Sequence, residues 1–186
     1  MKELLCTAAA VAILSGCGGA RNDAPPSGYD FGIEAPAMQL APVRVGQVRA
    51  TAPLDSIDMY YRLAYRNPAE LLAFTQTRWA ATPAELYRKR LLRSVPAGAA
   101  RCVLEVELHE ITQVFGARES SEALLELRAR VADSSGQLGE RMFRIVQPGA
   151  GAGGPEGAAA MAKAADRSIG ELAAWIGSLP GCAASK

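Results

Sequence analysis

The sequence has a single histidine, His109, and few aromatic residues, which make up 6% of the chain. A zinc-type metal site needs several Cys, His or carboxylate ligands close together. One histidine and two distant cysteines, Cys102 and Cys182, do not provide such a set. His109 falls in the polar register of an alternating stretch, where a solvated side chain is expected rather than a general base. We therefore predict no metal site and no catalytic residue.

Neither sign of charge dominates the chain. Lys and Arg number 20 against 19 Asp and Glu, for a net charge of +1, so no attraction to nucleic acid is expected. The glycine-rich stretch 149–154 lacks the Gly-Lys-Ser/Thr ending of a phosphate-binding loop and the Rossmann spacing, which favours a flexible linker. The serines have no nucleophile-elbow context. We expect no cofactor, no nucleic-acid partner and no enzymatic activity.

Long apolar runs are also missing. The run from Leu4 to Leu14 has eleven residues, whereas a membrane-spanning helix needs about twenty. It follows Lys2 and ends in Leu14-Ser15-Gly16-Cys17, an order typical of an export signal. The last four residues look like a bacterial lipobox, which predicts lipid attachment at Cys17 and a signal peptide over 1–16. The alternative is an ordinary secretory signal cut nearby, with Cys17 an incidental thiol.

The stretch after the predicted cleavage site is rich in Gly, Pro, Ala and Asn and shows little periodicity. We interpret 17–41 as a lipidated N-terminus and flexible tether. A short apolar cluster, Tyr29-Asp30-Phe31-Gly32, could instead add an edge strand to the domain. The folded domain is predicted over 42–182, with a tail at 183–186.

Two of the four cysteines lie in the predicted signal and lipidation region, and two lie in the predicted domain. Cys6 leaves with the signal peptide, and Cys17 would carry the lipid. Cys102 and Cys182 remain as an even pair in an oxidising compartment, which favours a disulfide. Such a bond would close a loop of about 80 residues and contribute at most about 4 kcal/mol. The alternative is two separate thiols.

The remaining patterns predict an α+β fold. Alternation indicates a short strand at Val43–Val48, a hairpin over 57–79, and three strands over 102–109, 123–131 and 140–147. Glutamates of the first of these three strands should lie across from arginines of the second. A capping box at Thr82–Glu85 begins one helix, and an apolar stripe over 155–179 indicates another. We expect an antiparallel or mixed sheet of about five to six strands, with two main helices packed on one face.

The chain resembles the ABC-type transport auxiliary lipoprotein family, the PqiC-type lipoproteins that accompany MCE-domain lipid transporters. The resemblance rests on Met59-Tyr60-Tyr61-Arg62, Arg78-Trp79-Ala80, Pro83 with Leu86, and Leu91-Leu92. The lipobox, Tyr29-Asp30-Phe31-Gly32 and the final helix support it. Phe74 stands where relatives often have tyrosine, so a role for a hydroxyl there does not carry over.

This resemblance implies a non-enzymatic docking role in lipid transport across a Gram-negative envelope. The implied partners are an MCE-domain periplasmic protein and its ABC permease complex, the membrane through the N-terminal lipid, and further copies of the chain. Gly18, rather than aspartate, follows Cys17, which favours the outer membrane, facing the periplasm. The candidate partner-binding residues are Tyr60, Arg62, Trp79, Arg88 and Arg90.

Three alternatives to this interpretation remain at the level of sequence. The basic helix face around Arg88 to Arg93 could simply be a solvated surface. The chain could be another outer-membrane assembly or lipopolysaccharide-transport lipoprotein that acts as a binding module. An envelope hydrolase is the third alternative, and the absent catalytic constellation disfavours it.

Overall fold

A computed structural model describes residues 25–34, 36–98, 100–149 and 151–182. Its elements in chain order are β1 (Ser27–Tyr29), β2 (Val43–Ala50), β3 (Asp58–Leu63), β4 (Leu72–Trp79), α1 (Pro83–Ser94), β5 (Cys102–Ala117), β6 (Ser120–Asp133), β7 (Gly136–Pro148) and α2 (Gly154–Ser178). The seven strands form one mixed sheet, and the two helices pack on one of its faces. The predicted α+β fold is therefore confirmed.

The sheet is built around β5, the longest strand. The order across the sheet is β1-β4-β3-β5-β6-β7, and β2 also pairs with β5. Both β2 and β3 run parallel to β5, β2 along its first half and β3 along its second, whereas β6 is antiparallel to it. β3 and β4 form the predicted antiparallel hairpin.

Alternating side chains explain why β5 and β6 lie where they do. On the helix side, Leu104 and Leu108 of β5 and Leu125 and Leu127 of β6 are almost fully buried. On the other side, Glu105 and Glu107 of β5 are register partners of Arg130 and Arg128 of β6. This is the expected pairing of glutamates and arginines. Both strands extend further than the alternation predicts. In β5 a register shift between Leu108 and Glu110 interrupts the alternation although pairing continues to Ala117, and β6 gains polar residues at its ends.

Helix α1 begins where the capping box predicts. The Thr82 side chain accepts from the Glu85 backbone, the Glu85 side chain accepts from the Thr82 backbone, and Pro83 occupies the first turn. The helix buries Tyr87 and Leu91 against the sheet. Its position beside β2 and its contact with α2 complete one helical layer.

Helix α2 lies mainly on β6 and β7 and is fastened at its end by a disulfide. Cys102 at the start of β5 is bonded to Cys182, four residues after the end of the helix, with a Cα–Cα distance of 5.7 Å. Both cysteines are buried, so the pairing expected from the sequence is present in the core. Among the described residues, neither helix has the length and apolar character of a membrane span.

The segment before β2 differs from the tether predicted over 17–41. Ser27–Tyr29 forms β1, an edge strand parallel to β4, and Phe31 and Leu40 are buried in the core. The described part of this segment therefore belongs to the folded domain, as in the edge-strand alternative. The sequence pattern did not predict this packing. The chain here crosses the helical layer instead of following one sheet face, so its apolar residues show no regular period. The predicted signal peptide 1–16, Cys17 and the tail 183–186 lie outside the described residues.

Candidate interaction surface

The sheet has one face that the helices do not cover, here called the open face. Register and alternation place on it Arg49, Tyr60, Arg62, Glu107, Glu110, Leu124, Glu126, Arg128, Arg130, Glu140, Met142 and Arg144. These residues come from five neighbouring strands. Among the largest apolar side chains, Met142 is notable because it is 51% exposed on this face.

Ion pairs between adjacent strands cover much of the open face. The Arg49 guanidinium lies 3.2 Å from Glu107, and Arg130 lies 3.0 Å from Glu140. Arg144 also contacts Glu126 across β7 and β6. Because these groups are partly exposed, each pair contributes at most about 1 kcal/mol to stability. Their charges remain accessible to a partner.

Arg62, one of the candidate partner-binding residues, is held in a two-point ion pair. Its Nε and one terminal nitrogen each donate to a different carboxylate oxygen of Glu110 at 3.2 Å. The Arg62 side chain is 23% exposed and that of Glu110 is 16% exposed. The arrangement fixes the plane of the guanidinium, which still borders the open face.

Tyr60 lies on the open face beside Arg62, as the alternation of β3 predicts. Its hydroxyl is 3.3 Å from the Ser56 hydroxyl and 3.4 Å from a carboxylate oxygen of Asp58. In register, Tyr60 is the partner of Thr112 on β5, and Thr112 is the partner of Leu124 on β6. An aromatic ring, a buried threonine and a half-buried leucine thus form a continuous row among the ion pairs.

The open face contains a small cleft of about 60 Å³ between β2, β5 and β6. Gln47, Arg49, Glu107, Arg128 and Arg130 line it. The hydrogen bond from Arg49 is the main cause that lowers the pKa of Glu107, so this carboxylate stays ionised. A cleft of this size is far below the roughly 300–1,000 Å³ of small-molecule sites.

The single histidine, His109, lies beside Glu107, one of the residues that line this cleft. Its Nε2 lies 3.5 Å from a carboxylate oxygen of Glu107, and the side chain is 27% exposed. Within the described ranges, no group of three or more His, Cys, Asp or Glu residues is arranged to hold a metal ion.

Trp79 is not on a partner-binding surface, and this prediction was wrong. The side chain is 2% exposed, and its ring packs edge-on against Phe31 with centroids 5.6 Å apart. Its Nε1 has no hydrogen-bond partner among the described residues. The β1 segment brings Phe31 onto the ring, which is why local alternation in β4 could not reveal the burial.

Arg90 is likewise not available to a partner, which corrects a second prediction. The residue is 5% exposed and donates to both carboxylate oxygens of Asp166 on α2, at 2.7 and 2.8 Å. It also donates to the backbone carbonyl of Glu34. The guanidinium therefore ties together α1, α2 and the segment that crosses them.

Arg88 is exposed, but its guanidinium is engaged in hydrogen bonds to β2. It donates to the Gly46 carbonyl at 2.6 Å and more weakly to the Val45 carbonyl at 3.4 Å. Gly46 lies at the irregularity in the pairing of β2 with β5. Arg88 therefore fastens α1 to the interrupted strand, and of the five candidates only Tyr60 and Arg62 meet on the open face.

A larger depression lies on the opposite side of the molecule. A groove of about 570 Å³ runs between residues 29–34 and the outer side of α2. Pro155, Ala158, Ala159 and Ala162 give it an apolar wall, and Lys163 stands at its margin. Sequence reasoning missed this feature because it depends on how the N-terminal segment crosses the helices.

Sequence reasoning also missed Met142 on the open face. The alternation of β7 could have revealed it, since Met142 lies on the same side of the strand as Glu140 and Arg144.

Solved structures with the same fold are known. No family model matches the sequence, and no curated protein matches it. Protein XCC0632 from Xanthomonas campestris, described as DUF330, superimposes with a TM-score of 0.68 and 20% identity over 80% of this chain and 93% of its own. An uncharacterized protein gives a TM-score of 0.62 and 15% identity over 82% of this chain and 99% of its own. At these identities the likeness shows the fold alone.

Proposed function

We propose that the protein is a lipid-anchored lipoprotein that docks an ABC-type lipid transport system in the Gram-negative envelope. Its partners would be an MCE-domain periplasmic protein and the associated ABC permease complex. The anchor would be the lipid at Cys17, in the outer membrane and facing the periplasm. The protein would act by adhesion, without turnover of a substrate.

The observation that carries this proposal is the composition of the open face. Tyr60, Leu124 and Met142 supply apolar and aromatic area, and arginines and glutamates of both signs surround them. Protein interfaces are enriched in Tyr, Met and Arg and have polar rims. The cleft of about 60 Å³ on this face is well below the roughly 300–1,000 Å³ of small-molecule sites. A protein partner therefore suits the open face better than a small molecule does.

The motif Met59-Tyr60-Tyr61-Arg62 connects this surface to the family resemblance. Tyr60 and Arg62 of this motif are on the open face, whereas Met59 is buried. The resemblance supports an MCE-domain partner, and the lipobox supports the anchor. The fold shared with XCC0632 is compatible with the MCE-domain partner and with the lipid anchor, and it identifies neither of them.

Site-specific photo-cross-linking in Gram-negative cells tests this function. A benzoylphenylalanine at Tyr60 or Met142 should capture an MCE-domain protein, identified by mass spectrometry. The same group at Met38, which is 55% exposed on the helical side, serves as the matched control and should not. Cross-links between copies would reveal the homo-oligomer that the resemblance also implies.

Two results would overturn the proposal. Capture of a lipopolysaccharide-transport or outer-membrane assembly component at Tyr60 and Met142 would favour the alternative binding module. Capture of an MCE-domain protein at Met38 and not at Tyr60 or Met142 would overturn the assignment of docking to the open face. The intact mass of the mature chain separately tests the anchor, since acylation adds the mass of the lipid to a chain that begins at Cys17.

A further inference from the structure

We propose that the outer surface of the helical layer, opposite the open face, lies against a phospholipid bilayer and inserts Ile33 and Met38 into it. This inference rests on the lipid anchor at Cys17 in the proposed function. It adds the orientation of the folded domain: helices toward the membrane and the open face toward the periplasm. The proposed occupant is a bilayer with anionic lipid, not a second protein.

The first support is the course of residues 30–40, here called the crossing segment, which is described except at residue 35. After β1 the chain leaves the sheet and passes over the outside of the helical layer. The Gly32 carbonyl accepts from Arg93 of α1 at 2.8 Å, and the Leu40 backbone donates to the Ser94 carbonyl at 2.8 Å. The crossing segment is therefore fastened to α1 at both ends.

Arg90, which is oriented by its ion pair with Asp166, holds the middle of the crossing segment. Arg90 also donates to the Glu34 carbonyl, so it fixes the chain directly beside Ile33. Near α2, a Cβ added to Gly170 would lie 3.6 Å from Met38 Cγ. Ile33 and Met38 thus project from an anchored backbone at the outside of the helices.

The second support is the exposure of these two side chains. Ile33 is 88% exposed and Met38 is 55% exposed, although Phe31 and Leu40 of the same segment are buried at 5% and 3%. Transfer of an exposed isoleucine or methionine side chain out of water is favourable. The groove that opens beside Ile33 adds exposed Ala159 and half-buried Ala162 to the apolar area of this surface, among charged residues.

The third support is the length of chain before β1. Ser27 is ten residues after Cys17. Ten residues reach at most about 33–36 Å when fully extended, and about 16–19 Å as a flexible coil. An acylated Cys17 would therefore keep β1, and the crossing segment that follows it, close to the headgroups.

The charges around Ile33 and Met38 suit an interface with anionic headgroups. Lys89 and Lys163 are exposed and Arg93 is half-buried around the crossing segment. The opposing acids are Asp30, which is 3.9 Å from Lys89, and Glu34, while Asp166 is neutralised by its ion pair with Arg90. The balance is only slightly positive, so apolar insertion and the tether should dominate and headgroup attraction should add little.

Depth-dependent fluorescence quenching tests this orientation. Met38→Trp and Met142→Trp are matched because the two methionines are 55% and 51% exposed on opposite sides. Each full-length, acylated variant is reconstituted into vesicles of phosphatidylethanolamine and phosphatidylglycerol, with and without bromine on the acyl chains. The added tryptophan of Met38→Trp should lose about half of its emission in brominated vesicles. That of Met142→Trp should be quenched no more than Trp79 and Trp175 in the wild type.

Equal quenching of the two variants, or stronger quenching at Met142→Trp, would overturn the orientation. If Met38→Trp does not fold, as judged by circular dichroism, Ile33→Trp replaces it with the same expectation. A mature chain without lipid at Cys17 would instead contradict the anchor on which this inference rests. Failure to capture an MCE-domain protein would contradict docking while leaving the quenching result interpretable.

Discussion

The hydroxyl of Tyr87 on α1 lies 2.6 Å from the hydroxyl of Ser168 on α2, and both residues are fully buried. Ser168 also donates to the Ala165 carbonyl at 2.7 Å, so the Tyr87 hydroxyl donates to Ser168. This contact and the Arg90–Asp166 pair join the two helices at successive turns of α1. The helical layer is therefore held together by polar contacts as well as by its attachment to the sheet.

Tyr87→Phe should lower the free energy of unfolding by about 1 kcal/mol. The loss is modest because Ser168 keeps its bond to the Ala165 carbonyl and no buried donor is left unpaired. Urea unfolding measures the change. Tyr65→Phe, at a tyrosine that is 42% exposed, is the control and should change stability by less than about 0.5 kcal/mol. An equal loss in both variants would contradict a specific role for the buried hydroxyl.

The same tyrosine should make stability depend on alkaline pH. Burial raises the pKa of Tyr87, and this effect outweighs the opposing effect of the hydrogen bond between Tyr87 and Ser168. An unfolded tyrosine ionises near pH 10, so the folded state holds its proton above that pH while the unfolded state loses it. The contribution of Tyr87 is thus present below about pH 10 and decreases as the pH rises further. Unfolding measured from pH 8 to 11 should show a shallower decline for Tyr87→Phe than for the wild type.

The Arg90–Asp166 pair should respond unequally to removal of its two members. Asp166→Asn leaves a guanidinium that is 5% exposed without its countercharge, and should cost about 3 kcal/mol. Arg90→Met leaves a carboxylate that is 35% exposed and can be hydrated, so its cost should be nearer 1–2 kcal/mol. Urea unfolding of both variants and of the double variant gives the comparison. If Arg90→Met lowers the free energy of unfolding more than Asp166→Asn does, hydration of Asp166 does not explain the difference between the two variants.

These contacts also show what the sequence could and could not predict. The start of α1 was predictable because Thr82, Pro83 and Glu85 form their cap within a single turn. The facing glutamates and arginines of β5 and β6 were predictable because alternation fixes both strands. In contrast, Arg90 occupies the same α1 face as Tyr87, and its burial is compensated by two distant partners, Asp166, 76 residues later, and the Glu34 carbonyl. A pattern within one element cannot reveal a partner contributed by another.

The candidate surface was predictable to a similar extent. Alternation in β3 places Tyr60 and Arg62 away from the core, and the structure brings them together with Glu110. The burial of Trp79 depends on Phe31, which reaches the ring from an edge strand that has no periodic pattern of its own. Predictions failed where a long-range contact, rather than local spacing, decides exposure.

The disulfide should be a large contributor to stability. The bond between Cys102 and Cys182 closes a loop with a sequence separation of 80, for which the chain-entropy model gives about 4 kcal/mol. A Cys102→Ala, Cys182→Ala double variant should lose about that amount in urea unfolding. Wild-type protein unfolded in the presence of dithiothreitol provides the control, because it keeps both sulfur atoms and lacks only the bond. Unchanged stability in both samples would contradict this assignment.

Two glycines of α2 should respond to alanine in opposite directions. A Cβ at Gly154, in the first turn, would lie 2.1 Å from the hydroxyl oxygen and 2.7 Å from the Cβ of buried Thr77. Since Thr77 is β-branched and cannot turn away, Gly154→Ala should destabilise the protein by about 1–3 kcal/mol. A Cβ at Gly177 meets nothing within 4 Å among the described residues, so Gly177→Ala should stabilise the protein by about 0.5–1 kcal/mol through helix propensity.

Urea unfolding of the two variants measures both effects. Because both changes raise the helix propensity of the same element, a destabilisation seen only in Gly154→Ala can be attributed to the close contact of α2 with β4. Stabilisation in both variants would mean that α2 can move away from Thr77 without cost.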